Sequence, residues 1–123
     1  TSKLLQTQVN RMKIFHYKDV KAKDVEEGAS KLRVRWLITE EIGAENFAMR
    51  LFEVEPGGYS PFHSHPWEHE VFILEGKGIV IGEVKESKFR VGDVIFIPAN
   101  EKHQFKNNGE KTAKFLCLIP TPK

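Results

Sequence analysis

Apolar and polar residues exchange places at every second position over most of this chain, a period that dictates a fold of short, half-buried strands. Leu32, Val34, Trp36 and Ile38 alternate with Lys31, Arg33 and Arg35 before the pattern ends at Thr39. Phe47 to Val54, Glu70 to Leu74, Ile79 to Val84, Val94 to Ile97 and Thr112 to Ile119 are further strand candidates. Turn signals separate them: Pro56-Gly57-Gly58, Gly76-Lys77-Gly78, Gly92-Asp93, Pro98-Ala99-Asn100 and Asn107-Asn108-Gly109. Helical spacing is weak, and Asp19 to Gly28 allows one short helical turn at most. Strands joined by turns, without helices between them, predict an antiparallel sandwich or barrel rather than a βαβ fold. The segment from Lys13 to Tyr17 also alternates like a strand, whereas Thr1 to Arg11 does not. Residues 1–12 are therefore read as an N-terminal extension, native or vector-derived, and residues 13–123 as one domain.

With 123 residues the chain has room for a single core. A hydrophobic share of 40% with 29% charged residues describes a soluble globular protein. The net charge of +2, with lysines spread along the chain, argues against a nucleic-acid or membrane partner. Cys117 has no second cysteine to pair with, which excludes a disulfide-stapled scaffold. No apolar run approaches the roughly 20 residues of a membrane helix. The polar start lacks the apolar centre of a secretory signal, so a cytoplasmic location is expected.

Chemistry concentrates in the histidines. His63 and His65 stand two apart, a spacing that puts both imidazoles on one face of a strand. Pro66 ends that run, and a corner at Pro66-Trp67-Glu68 would let His69 return facing them. His103 must arrive from another strand. Neutral imidazoles converging in a barrel mouth suit a divalent transition metal.

The same residues resemble the cupin family. Its first motif, Gly, five residues, His-x-His, three or four residues, Glu, six residues, Gly, is met by Gly57, His63, His65 and Gly76. The second, Gly, five residues, Pro-x-Gly, two residues, His, three residues, Asn, is met by Gly92, Pro98, His103 and Asn107. Asn100 replaces the usual Gly and tolerates the same left-handed backbone. Counting back from Gly76, the position of the first motif's Glu falls on His69 rather than Glu70. Neighbours on a strand face opposite ways, so only one of the two can reach the metal. His69 is preferred, giving a ligand set of His63, His65, His69 and His103. The pattern looks like the small four-histidine cupins of thermophiles, some of which bind manganese. The resemblance implies a double-stranded β-helix (jelly-roll) barrel with an N-terminal strand extension. It also implies a divalent transition metal, manganese first, with iron, zinc, nickel or copper as alternatives.

Around that site, Phe105, two residues after His103, Glu70 and Met49 are the pocket candidates, with Leu51 beside Met49. Of Phe52, Phe62, Phe72, Phe96, Phe105 and Phe115, only one or two are expected at the pocket. Glu68 or Glu70 could accept a hydrogen bond from a ligand's second ring nitrogen. Trp67 is read as packing at the corner, Cys117 as a buried inert thiol and His16 as a lone surface residue. Arg33 and Arg35 could bind an anion or form a solvated face. Four neutral ligands leave the full 2+ charge on the metal and about two open positions. By resemblance this suits a dioxygenase-like oxidoreductase that uses O2 or peroxide on a small organic substrate. A non-redox isomerase or lyase, and a sugar-like ligand-binding module, are the alternatives. A homodimer is expected, with N-terminal strands exchanged between subunits.

Overall fold

In the computed structural model, which describes residues 11–122, a bulge near the end of one long strand bends the sheet into a barrel. Nine strands follow one another among the described residues: β1 (Lys23–Val25), β2 (Ser30–Ile38), β3 (Phe47–Tyr59), β4 (His69–Glu75), β5 (Lys77–Ile81), β6 (Glu86–Arg90), β7 (Val94–Ile97), β8 (Gln104–Lys106) and β9 (Ala113–Pro120). Every pairing is antiparallel, in the order β6-β5-β8-β3-β9-β4-β7, with β2 added to β3 and β1 to β2. The first part of β3 lies between β2 and β9, whereas its last residue, Tyr59, pairs with Ser30 and Lys106. The result is an all-β barrel of the antiparallel kind that the alternation predicted, in the jelly-roll form that the resemblance implied. No helix among the described residues is long and apolar enough to cross a membrane.

The core follows the period of two. Val71 and Ile73 of β4 and Ala113, Phe115, Cys117 and Ile119 of β9 are buried, while the residues between them are not. Register stacks them in layers: Arg50, Cys117 and Val71 stand side by side, as do Phe52, Phe115 and Ile73. Phe52, Phe115, Phe105 and Phe89 then form a run of ring contacts with centroids 5.5, 4.7 and 6.1 Å apart.

Several expectations change. Pro56-Gly57-Gly58 is not a turn between strands but part of β3, where residues 55–58 bulge out against the single residue Lys31. Gly57 takes φ +82° there, a conformation that suits glycine. Only Gly76 turns the chain between β4 and β5; it has φ +80°, and a Cβ on it would stand 2.8 Å from Ala113 Cα. The strand expected over Lys13 to Tyr17 does not form, and Ile14 is 97% exposed. In place of a helical turn over Asp19 to Gly28, a 3-10 turn at Tyr17–Asp19 is capped by His16, and β1 adds to the free edge of β2. The strand expected from Ile79 to Val84 starts earlier, at Lys77, and stops at Ile81, and β6, polar except for Phe89, follows the turn at Gly82. Residues 1–10 of the proposed extension lie outside the described residues.

Two polar side chains brace the barrel. Arg35 bonds Glu53 at 3.0 Å and the carbonyl of Val20 at 2.6 Å, and stacks over Tyr17, so it clamps the N-terminal segment rather than waiting for an anion. Arg33 faces Asp24 at 3.9 Å. Buried Asn107 donates to the carbonyls of Val54 and Lys111, both at 2.8 Å, and its Oδ1 accepts from Gly109 N–H. Asn107→Ala would leave those carbonyls without their donor and should lower unfolding free energy by about 1–3 kcal/mol. Urea denaturation checks this, and an unchanged midpoint would contradict the bracing role.

Candidate metal centre

Backbone pairing brings the histidines of the two motifs together. His63 and His103 form a two-bond bridge, N–H to carbonyl at 3.2 Å one way and 2.9 Å the other. Asn100, at φ +71°, donates its N–H to the His65 carbonyl at 2.7 Å, so the left-handed turn holds the second histidine in place. His69 is the first residue of β4 and points inward, buried to 6% exposure; Glu70 points out into solvent.

His63, His65 and His103 each offer a ring nitrogen, and these atoms lie within 4.8 Å of one another. The fourth histidine joins through His65, with the two Nε2 atoms 2.8 Å apart. Two nitrogens bound side by side on an ion at about 2.1 Å would be separated by about 3 Å, so this spacing fits a shared cation. His63 and His69 each make ring contacts with both His65 and His103, with centroids 4.3–5.2 Å apart.

Second hydrogen bonds set the tautomers. His103 Nδ1 lies 2.9 Å from the Glu101 carbonyl, which can only accept, so Nδ1 carries the proton and Nε2 keeps a free lone pair. His69 Nδ1 lies 2.9 Å from Cys117 Sγ, and His65 Nδ1 faces the Trp67 carbonyl at a longer 3.5 Å. Neither Glu68 nor Glu70 bonds a ring nitrogen; both side chains are exposed, and carbonyls and a thiol occupy that role. Burial pushes His69 down to about 3, with the charges of His65 and Arg50 adding to the effect. His63 and His65 are lowered too, chiefly by burial. All three imidazoles are therefore neutral at pH 7. Burial raises Cys117 against the opposing pull of Arg50, which keeps it a thiol.

A cavity of about 420 Å³ opens onto these histidines. Trp36, Phe52, Phe105, Phe115 and Ile119 are among its walls, and no carboxylate lines it among the described residues. Phe105 is where the sequence placed it. Three of the six candidate phenylalanines line the cavity, while Phe62, Phe72 and Phe96 are exposed. Met49 and Glu70 are corrections. On β3 the inward positions are the even ones, so Arg50 and Phe52 line the cavity while Met49 and Leu51 lie on the other face. Glu70 faces outward beside inward His69. Trp67 lies flat on His65, 4.7 Å between ring centroids, at the cavity edge. Arg50 was missed, although strand parity from Phe52 could have identified it.

A cupin domain family matches residues 50–119, a span holding every one of these histidines. This chain belongs to the cupins. Among solved structures, the polyketide cyclase RemF from Streptomyces resistomycificus is 38% identical to this cupin, with a TM-score of 0.85 over 91% of this chain and 81% of that one. The oxalate-binding protein of Thermotoga maritima is 30% identical over 96 residues, 75% of this cupin and 78% of that protein. The 1-methylthio-D-xylulose 5-phosphate methylsulfurylase of Rhodospirillum rubrum is 35% identical over 71 residues, 58% of this chain. The alignment covers 46% of that enzyme, so the cupin spans less than half of its length.

His69 makes metal-free stability depend on pH. Between about 3 and the ordinary 6.5 the unfolded chain takes up a proton that folded His69 refuses, so stability falls as pH drops through that window. In chelator, urea midpoints should fall more between pH 7.5 and 5.5 for the unaltered protein than for His69→Gln. Equal slopes would show that His69 is not held neutral by the fold.

Proposed function

We propose that this cupin is a metal-dependent protein in which His63, His65, His69 and His103 hold one divalent ion. In this reading it acts on a small, largely apolar molecule carrying carbonyl-type oxygens, of the kind a polyketide cyclase handles. The observation that carries the reading is the junction of the histidine cluster with an aromatic cavity that no carboxylate lines among the described residues. When bound, the ion would act as a Lewis acid toward an oxygen of the guest. The rest falls to the chain itself. Phe52, Phe105 and Phe115 exclude water and present flat surfaces to a planar guest. Glu101 and Cys117 orient His103 and His69, so ligand direction is set before the ion arrives. The likeness to RemF, at 38% identity across most of both chains, supports this substrate class over a phosphosugar. So does the wall composition, whose only Lys or Arg among the described residues is Arg50.

Use of O2 or peroxide at the same ion is the second reading, favoured by the open side of the histidine cluster. The identity of the ion separates the two. Imidazole donors suit zinc, copper, iron and nickel, and manganese is supported only by the resemblance to four-histidine cupins. Elemental analysis of untagged protein is the test. Zinc or nickel near one equivalent supports the Lewis-acid reading, and manganese or iron the redox one. A protein that neither contains nor takes up metal overturns both. His69→Ala and His103→Ala should each weaken metal binding beyond the about 10–100-fold cost of altering an outer-shell partner. Glu70→Ala should change it little, and competition against a chelating dye measures all three.

A second copy of the chain is the proposed partner. Phe72 and Phe96 are 45% and 60% exposed on the outer face of β4 and edge strand β7, with Val94 paired to Phe72. Such an apolar patch beside an open edge is suited to a symmetric contact. Light scattering should give a dimer for the unaltered protein and a monomer for Phe96→Glu. A monomer in both cases would refute the pairing.

A further inference from the structure

Among the described residues Arg50 is the one Lys or Arg lining the cavity, and its side chain is incompletely partnered. Its Nη2 donates to Cys117 Sγ at 3.1 Å, and the guanidinium lies over Phe52 and Trp36, 4.8 and 5.2 Å from their ring centroids. The Nε–H is buried and has no hydrogen-bond partner. Among the described residues no carboxylate forms an ion pair with this guanidinium. Cys117 in turn contacts His69, which places the cation one side chain away from the histidine cluster.

Charge then selects the guest. Four neutral imidazoles leave an ion at 2+, Arg50 adds a third positive charge, and the walls supply no negative one. A buried donor without an acceptor and a cation without a counter-ion both carry a desolvation cost that an incoming oxyanion would offset. Guanidinium nitrogens suit a carboxylate or other anionic oxygen, through charge-assisted hydrogen bonds stronger than neutral ones. The aromatic faces beneath Arg50 suit a flat, apolar body.

We propose that the cavity of this cupin binds planar, apolar organic anions, with Arg50 receiving their anionic oxygen. The substrate class rests on the metal-dependent reading given above, but the contact at Arg50 needs no ion, so the two can fail separately. The oxygen could belong to a carboxylate or to the enolate of a 1,3-dione. Benzoate, neutral benzamide and benzoylacetone are suitable probes, titrated calorimetrically into metal-loaded and chelator-treated protein whose metal content is measured in the same samples. Benzoate or benzoylacetone should bind more tightly than benzamide. Arg50→Met should weaken binding of the anion about 10–100-fold and that of benzamide by clearly less. Arg50→Lys, which keeps the charge and loses the Nε–H, should fall between the two. Which anion responds tells a carboxylate from an enolate. Arg50-dependent binding to metal-free protein supports the proposal even if no ion belongs in the site. Equal affinity for benzoate, benzoylacetone and benzamide, or no binding of either anion at millimolar concentration, overturns it, and both readouts use the unaltered protein should Arg50→Met fail to fold. Anion binding that survives in a folded Arg50→Met also overturns it.

Discussion

Arg50 on β3 stands opposite Cys117 on β9, and Cys117 opposite Val71 on β4; this shared register decides which side chains meet inside the barrel. Because side chains alternate strictly along a strand, a slip of one residue would exchange the inner and outer faces. Met49, Leu118 and Glu70 would then point inward in place of Arg50, Cys117 and His69. The bulge at residues 55–58 carries the chain from one wall to the other, and the His63–His103 bridge joins the walls again beyond it. The histidine cluster is thus a product of long-range pairing, and no local segment could assemble it alone.

That pairing also sets the electrostatics. Ring nitrogens facing away from the site meet a carbonyl at Glu101 and a thiol at Cys117, not a carboxylate. Such partners orient an imidazole without adding negative charge to it. Burial lowers His63, His65 and, most of all, His69. A cation placed among them would keep nearly all its charge, and Arg50 adds to the same field. Positive potential in an apolar enclosure is the property that most distinguishes this interior from an ordinary β-barrel core.

Much of this was legible in the sequence, because a period of two and the spacing of motif residues are local signals. His63, His65 and His103 could be named from spacing, and the inward-facing position of His69 from counting back to Gly76. Failures occurred where a decision depended on a distant partner. Pro56-Gly57-Gly58 reads as a turn in any window, and only pairing with Ser30 and Lys106 makes it a bulge within β3. β1 forms because β2 offers a free edge, and β6 because β5 does, although neither has a strong apolar pattern. Arg50 was overlooked for a different reason. A charged residue between Met49 and Leu51 looks like the solvent side of a strand, and that reading fails once both faces of β3 are covered. Buried Leu51 on the outer face, near the segment clamped by Arg35, is the physical sign of that cover.

Placing His69, Arg50 and an unpaired Nε–H in the interior costs stability, and the rest of the barrel has to offset that cost. The rest of the core does so with apolar and fully bonded groups: Phe89 packed on the cavity-wall rings, the buried Ile73 and Val54, and Asn107 with its side-chain donors and acceptor engaged. β3, β4 and β9 carry both the site residues and packed core residues, so the cost at the site falls on strands that are firmly packed elsewhere along their length. Local rules of good packing are broken at the site and kept elsewhere, as expected where interior groups are held ready for a guest rather than for one another. Filling the cavity with a larger apolar residue at Arg50 should therefore stabilise the fold only as far as it abolishes binding, because the unsatisfied cation is the source of both effects.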